Sequence, residues 1–239
     1  MPLIELATVR LHPSLSSSPS PLPSSFSELW TKCLDIASSA SGIPFQLYHS
    51  SSPSPSTSTS TSSDAQLFYL LGGWQTADDH IAFLSTPKAV DLAKAIGQFM
   101  TVDIVRHVDG DIAALLGGAG ATPSNRPQRL VVTTYKVPSA NIDSSTWKEH
   151  WEKKTKDGAG AGGWDESAAV QKQHQAFKQM GQVTNSASAF GGNDSSSDMK
   201  TWVWIEDATR KQVDSSDSRL LENASKVEAD SVEIEYFIG

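Results

Sequence analysis

Stretches in which branched apolar residues alternate with polar ones recur along this chain, and segments with helical spacing lie between them. Residues 3 to 11 read as a first strand. After a Ser/Pro stretch, Ser25-Phe-Ser-Glu28 has capping-box spacing, and Phe26, Leu29, Trp30, Cys33 and Ala37 follow at helical intervals, which predicts an amphipathic helix ending near Ser41-Gly42. Phe45 to His49 is a short strand candidate and Gln66 to Trp74 a longer one. Thr76-Ala-Asp-Asp79 starts the next helix, with acids where the helix dipole favours them. Pro87, after Ser85-Thr86, resets it, and the second segment turns Val90, Ala93, Ile96, Phe99 and Met100 inward before a closing strand over 101 to 108. The resulting order, β-α-β-β-α-β, is the ferredoxin-like arrangement of two helices on one face of an antiparallel sheet.

The pattern then repeats. Phe68-Tyr-Leu-Leu-Gly-Gly-Trp74 matches Lys200-Thr-Trp-Val-Trp204, and Thr101-Val-Asp-Ile-Val-Arg-His-Val108 matches Ser231-Val-Glu-Ile-Glu-Tyr-Phe-Ile238, both at an offset of 130. The second half opens with the strand Leu130 to Val137 and a helix around Ser145 to Lys156 carrying Trp147 and Trp151 one turn apart. It closes with Met199 to Glu206, a helix over roughly 208 to 226, and Val232 to Ile238. Gly158-Ala-Gly-Ala-Gly-Gly163 reads as flexible, and Val170, His174, Phe177 and Gly181 have helical spacing where a copy would place a strand, so the second strand of this half has no assignment. The expected fold is α+β: two fused ferredoxin-like domains, residues 1–112 and 129–239 joined by a Gly/Ala/Pro-rich linker over 113–128, packed as an intramolecular dimeric α/β-barrel.

Strand parity then suggests where polar groups collect. The apolar set Val102, Ile104 and Val108, with Val232, Ile234 and Ile238, is expected to face the helices. Asp103, Val105 and His107, with Glu233, Glu235 and Phe237, then face the space between the sheets, where buried polar groups favour a lined cavity over a dry core. The alternative is that these acids are simply solvated. His107 and Asp103 form the base and orienter candidates, although residues four apart in a strand are too far apart to bond directly and each needs another partner.

Composition narrows the partners. The net charge of -8, with no basic cluster, argues against nucleic acid or an anionic membrane surface. The single cysteine, Cys33, excludes an internal disulfide and falls on the apolar stripe of a helix, as a buried, inert thiol does. The N-terminal residues lack a signal pattern and no run of 18 apolar residues occurs, so the expected location is the cytoplasm. No Cys-x-x-Cys, His-x-x-x-His or clustered carboxylate spacing is present, nor a dinucleotide fingerprint, P-loop or nucleophile elbow. Neither a metal nor a nicotinamide, flavin or nucleotide cofactor is therefore expected.

Gly72-Gly-Trp-Gln-Thr-Ala-Asp-Asp-His80, followed by Phe83 and Ser85, resembles the strand-turn-helix signature of antibiotic biosynthesis monooxygenase-like domains of the dimeric α/β-barrel superfamily, and the Gly-Gly-Trp at 162 to 164 is similar to that of fungal tandem members. The resemblance implies a barrel whose interior binds a flat, hydrophobic small molecule, in a superfamily that spans cofactor-free monooxygenases, haem-degrading enzymes, cyclases, lyases and proteins without known activity. It sets Trp74 where haem-degrading relatives keep a pocket tryptophan, but the stretch where they keep a haem-ligating histidine reads Ser-Thr-Pro-Lys-Ala-Val-Asp-Leu here, which argues against haem. A strand-end tryptophan also simply plugs a barrel mouth. His80 has a surface or capping role as its stronger reading, His150 fits either a pocket rim or solvent, and Tyr69 and Tyr135 are ordinary strand residues unless a ligand meets them.

The resulting expectation is a cofactor-independent, oxygenase-like tailoring enzyme acting on an aromatic or polyketide-like small molecule, with His107 and Asp103 as catalytic candidates and Trp74, His80, Tyr69, Tyr135 and Phe237 around the substrate. A non-catalytic or degenerate barrel and a cyclase or lyase are the competing classes. The assembly expected is a pseudo-dimer within one chain. Residues 50 to 63 contain only Ser, Thr and Pro, which cannot bury apolar surface. Because closure entropy grows only logarithmically with loop length, replacing them by a tight turn should leave the melting temperature within a few degrees, and a collapse in thermal stability would show that the tract packs against the fold.

Overall fold

The computed structural model describes residues 2–16, 22–50, 67–117, 126–138, 144–157, 160–164, 199–210 and 228–238. In chain order these form β1 (Leu3–Leu11), α1 (Pro13–Ser16), α2 (Ser24–Ser41), β2 (Gln46–Ser50), β3 (Leu67–Trp74), α3 (Ala77–Leu84), α4 (Pro87–Ile96), β4 (Met100–Asp109), β5 (Arg129–Pro138), α5 (Ser144–Lys156), β6 (Gly160–Trp164), β7 (Met199–Asp207), a short 3-10 turn (Ala208–Arg210) and β8 (Glu228–Ile238). The Thr76 side chain accepts from the Asp79 amide at the start of α3, and Thr86 does the same for Ala89 at α4, where Pro87 takes the first helical position. The capping box at Ser25 does not form: α2 starts at Ser24 with no side-chain cap, and the Phe26 amide bonds to the Pro23 carbonyl. Gly42, at φ 72°, ends α2 in the left-handed region and returns its N–H to the Ser38 carbonyl. His174, the expected helix beyond residue 210 and the Ser/Thr/Pro tract from 51 onward lie outside the described residues.

The eight strands among the described residues belong to one antiparallel sheet in the order β4-β1-β3-β2-β8-β5-β7-β6. β2 joins the two halves by pairing with β8, Leu47 opposite Ile238 and Tyr48 opposite Tyr236. At the other end the edge strands β4 and β6 come together through glycines. A Cβ on Gly163 would collide with the Asp109 carbonyl, and one on Gly110 would lie 3.0 Å from the Gly162 oxygen. The glycine run expected to be flexible is therefore the missing strand: β6 pairs along β7 from Gly160–Glu206 to Trp164–Trp202, and its small residues let the edges approach.

The ladder also corrects the alignment of the two halves. Trp74 pairs with Leu3, which faces Asp109, whereas Trp204 pairs with Thr133, which faces Ser231. Asp109 and Ser231 are thus equivalent, an offset of 231 − 109 = 122 rather than 130. The discrepancy of eight is even, so it preserves face parity, which explains how similar strands matched out of register.

One face of the sheet carries a core drawn from both halves: Ile4, Leu6, Tyr48, Leu71 and Val108 from the first, with Leu130, Val132, Val203, Ile205 and Ile234 from the second. Where strand parity predicts a lined, partly polar space, the described residues of both halves pack apolar side chains. The polar members of this core are tied down, the Tyr48 hydroxyl donating to Gln46 Oε1 at 2.6 Å and Arg126 donating to the Tyr236 hydroxyl at 3.1 Å. The opposite face packs under α2, where Val9, Leu11, Phe26, Trp30, Phe68 and Trp74 meet. Cys33 belongs to this layer, and burial pushes its thiol up to about 11.

Face assignments of the closing strands reverse relative to the expectation for Val108, His107, Ile234 and Phe237. Ile238 packs on the helical side as expected, the pairing of β8 with β2 shifting register between Tyr236 and Ile238. Val108 and Ile234 join the inter-half core, while His107 and Phe237 point to the helical side. The cause in β4 is a bulge: Thr8 pairs with Ile104 but Val9 pairs with Val102, leaving Asp103 as the extra residue. Val102 and Val108 therefore do not share a face, and a parity count carried across the bulge fails. Substituting Gly163 by Ala should cost about 1–3 kcal/mol by forcing the seam between β4 and β6 apart. Urea denaturation measures this, and an unchanged midpoint would show that the edges do not meet.

Candidate functional site

A carboxylate and two imidazoles converge in the first half, between the sheet and α3. Glu5 lies on the helical face of β1, directly across the ladder from His107 on β4 and from Gly72 on β3. Gly72 leaves space beside it that the Phe45 ring fills, since a Cβ there would collide with that ring. Trp74, one same-face position further along β3, donates its indole N–H to Glu5 Oε2 at 2.7 Å. α3 runs back over the strand end, so His80 stacks on the Trp74 indole at a centroid distance of 4.3 Å and an interplanar angle of 9°. His80 Nε2 then lies 3.4 Å from Glu5 Oε2 and His107 Nε2 3.8 Å from the same oxygen. The imidazole centroids are 5.1 Å apart. Water has little access: His107 is 0% exposed, His80 2%, and the Glu5 side chain 12%.

Burial by itself would raise the Glu5 carboxyl, but the charge of His80 and the hydrogen bonds of His107 and Trp74 outweigh it and bring the group down to about 2. Burial also lowers His80, to about 3, against the pull of Glu5. The two shifts cannot both act in full at neutral pH, because a neutral His80 gives Glu5 no charge. The physical state is an anionic Glu5 held by N–H donors beside a neutral His80. Neither Glu5 nor His80 is poised near neutrality, so these two groups are suited to keeping their charge states rather than to exchanging protons.

An open groove of about 700 Å³ lies between α2 and the α3–α4 pair, with Ile36, Ala40, Phe83 and Pro87 in its walls and Lys32, Asp35 and Lys88 among its lining residues. Phe83 lines the groove on one side and packs against Trp74 at 5.3 Å on the other. The rings of Phe83 and Trp74 thus stand in series between the groove and the acid and imidazoles.

The candidates from sequence scatter over several places. Trp74, His80 and His107 come together. His80 is buried rather than superficial, because α3 folds back over the strand end that precedes it. Asp103 sits at the bulge, and its side chain lies outside the described residues. Tyr69 packs in the inter-half core, Tyr135 among Trp147, Trp151, Trp202 and Trp204, and Phe237 against Phe26 and Phe68. Sequence reasoning missed Glu5, although a lone acid inside Leu3-Ile4-Glu5-Leu6-Ala7 was the available signal. A search for local ligand spacing also could not find Glu5, His80 and His107, whose ligand atoms lie within 4.8 Å of one another but come from three separate elements.

The second half fills the corresponding layer differently. Trp204 takes the place of Trp74, and the ladder sets Tyr135 at the position of Glu5 and Ala229 at that of His107. Trp147 and Trp151 of α5 pack onto this patch, Trp151 lying 4.7 Å from Trp204, and the edge of His150 meets the Trp151 ring at 4.9 Å.

No protein-family model matches the chain, and no curated protein matches it. Solved structures do share its shape. A protein from Fusobacterium nucleatum subsp. nucleatum ATCC 25586, provisionally assigned as a monooxygenase, is similar with a TM-score of 0.54 and 6% identity over 98% of this chain and 92% of its own. A provisionally assigned chlorite dismutase aligns at a TM-score of 0.47 and 12% identity over 99% of this chain and 95% of its own. Chlorite dismutase from Candidatus Nitrospira defluvii aligns at 0.39 and 13%, over 98% and 91%. The first likeness shows the fold: a mixed α+β protein of the ferredoxin-like kind, matched along nearly its whole length. None of the described helices is long and apolar enough to cross a membrane.

Replacing Trp74 by Phe keeps an aromatic ring, smaller than the buried indole, and deletes the donor to Glu5. The expected loss is about 1.5–3 kcal/mol, the range for a hydrogen bond to a charged group. Chemical denaturation reads it out, and an unchanged stability would mean that the indole N–H does not hold the carboxylate.

Proposed function

We propose that this chain is an oxygenase-like enzyme for an aromatic or polyketide-like small molecule, built from two ferredoxin-like halves, residues 1–112 and 129–239, that form an intramolecular barrel. Its reaction centre is the Glu5, Trp74, His80 and His107 cluster of the first half, and the groove over Phe83 receives the substrate. The observation that carries this reading is the buried, ionised Glu5 with its two imidazoles. Burying such groups costs free energy that a packed layer does not require. The second half builds the same layer from Tyr135 and four tryptophans. Perturbed ionisable groups gathered beside a groove mark a site of chemistry.

The groove's apolar walls suit a flat ring system, and Lys32 and Lys88 suit a phenolate or carboxylate on it. For an anthrone the chemistry balances with dioxygen alone: the methylene loses two hydrogens and becomes a carbonyl, one oxygen atom enters that carbonyl, and the other leaves as water. The apolar packing of the described residues between the halves favours a second reading, a protein that binds small molecules without transforming them. Sequence parity offered His107 with Asp103 as the catalytic pair, whereas the present reading rests on His107 with its cross-strand neighbour Glu5.

Oxygen uptake by the full chain, with a panel of anthrones and hydroquinones and with and without chelator, tests the proposal. Uptake above the uncatalysed rate is expected for at least one compound, with a loss of roughly 100-fold or more in Glu5→Gln, which removes the fixed charge. Product formation without oxygen consumption would move the chain to the cyclase or lyase class. Binding with no product at all would establish the non-catalytic reading instead.

A further inference from the structure

The convergence of Glu5, His80 and His107 has a more specific chemical meaning. We propose that these three residues bind one divalent first-row transition-metal ion, with a Glu5 carboxylate oxygen and the Nε2 atoms of both histidines as ligands. Metal-ligand bonds of about 2.0–2.2 Å place neighbouring ligand atoms roughly 3–3.5 Å apart. His80 Nε2 and Glu5 Oε2, at 3.4 Å, already stand at that separation, and His107 Nε2 is 3.8 Å from the same oxygen. All three atoms lie within 4.8 Å of one another, so rotamer adjustments of about 1 Å close the set.

The supports are rigid, since Glu5 and His107 face each other across the β1–β4 ladder and His80 is held by its stack on Trp74. The Trp74 indole on Glu5 is the kind of outer hydrogen bond that fixes a ligating carboxylate. Two imidazoles in the set favour zinc, iron or cobalt over magnesium or calcium. Three protein ligands leave coordination positions open, and two histidines with one carboxylate are a donor set suited to oxygen chemistry at ferrous iron. The assignment of the ion to catalysis rests on the reading in the preceding section; the site itself stands on the geometry alone.

The test uses the full chain, stripped with chelator, dialysed, and titrated with Zn²⁺ by calorimetry and with Co²⁺ by visible absorption. One ion per chain is expected, with Co²⁺ ligand-field bands and a preference of at least tenfold over Mg²⁺. Glu5→Gln and His107→Gln should each weaken binding roughly 100-fold, and Trp74→Phe about tenfold. Absence of saturable binding overturns the site. So does binding of equal strength in both ligand variants, which would place the ion on less buried histidines such as His12 and His49. Should the variants unfold, proton–nitrogen correlation spectra of the wild-type imidazoles decide: Zn²⁺ should shift the Nε2 signals of His80 and His107, and shifts confined to other histidines overturn the proposal. Metal binding without oxygen uptake would sink the oxygenase reading and keep the site. Oxygen uptake by a chain that binds no metal would do the reverse.

Discussion

Backbone pairing between β2 and β8 is the constraint from which the rest of the architecture follows. β2 has only five residues, yet it bonds to β3 on one side and to β8 on the other, so the strands of both halves become a single sheet. Once they are joined, the apolar residues of the two halves share one core, and neither half retains an unpaired strand at that edge. Phe237, carried over on β8, then reaches the Phe26 and Phe68 rings and makes the layer under α2 depend on the second half as well. The core and the helical layer are thus tied to the same short ladder.

The two halves use equivalent places in opposite ways. Under α3, the layer beside Trp74 holds a carboxylate and two imidazoles; under α5, the layer beside Trp204 holds tyrosine and further tryptophans. Stability favours the second solution, since aromatic rings bury large areas without desolvating a charge. The first is retained at a cost that the fold does not require. Ionisable groups are thus concentrated in this layer of the first half, and the corresponding layer of the second half is aromatic.

Much of the architecture is legible in the amino-acid order because it rests on local rules. Thr76 and Thr86 cap their helices, Gly42 ends α2, and the spacing of Phe26, Trp30 and Cys33 predicts the face that α2 buries. What escapes is non-local. The glycines of β6 read as flexible because their purpose, admitting the backbone of β4, belongs to another segment. The eight-residue slip between the closing strands escapes because alternating strands resemble one another at any even offset. The site escapes for the same reason, since Glu5, His80 and His107 carry no common spacing and only the ladder and the return of α3 bring them together. Trp74 and His80 were visible through their shared turn and His107 through the polar positions of its strand; Glu5, which all three approach, was not.

The bulge at Asp103 makes the site tolerant of a change in chain length. Thr8 pairs with Ile104 and Val9 with Val102, so Asp103 has no counterpart in the β1 register. Removing it would join Val102 to Ile104 in an uninterrupted ladder, with His107 still opposite Glu5 and Val108 still opposite Ile4. The extra residue is slack that β4 can lose without carrying the imidazole away from the carboxylate, whereas a substitution at His107 has no such reserve to draw on.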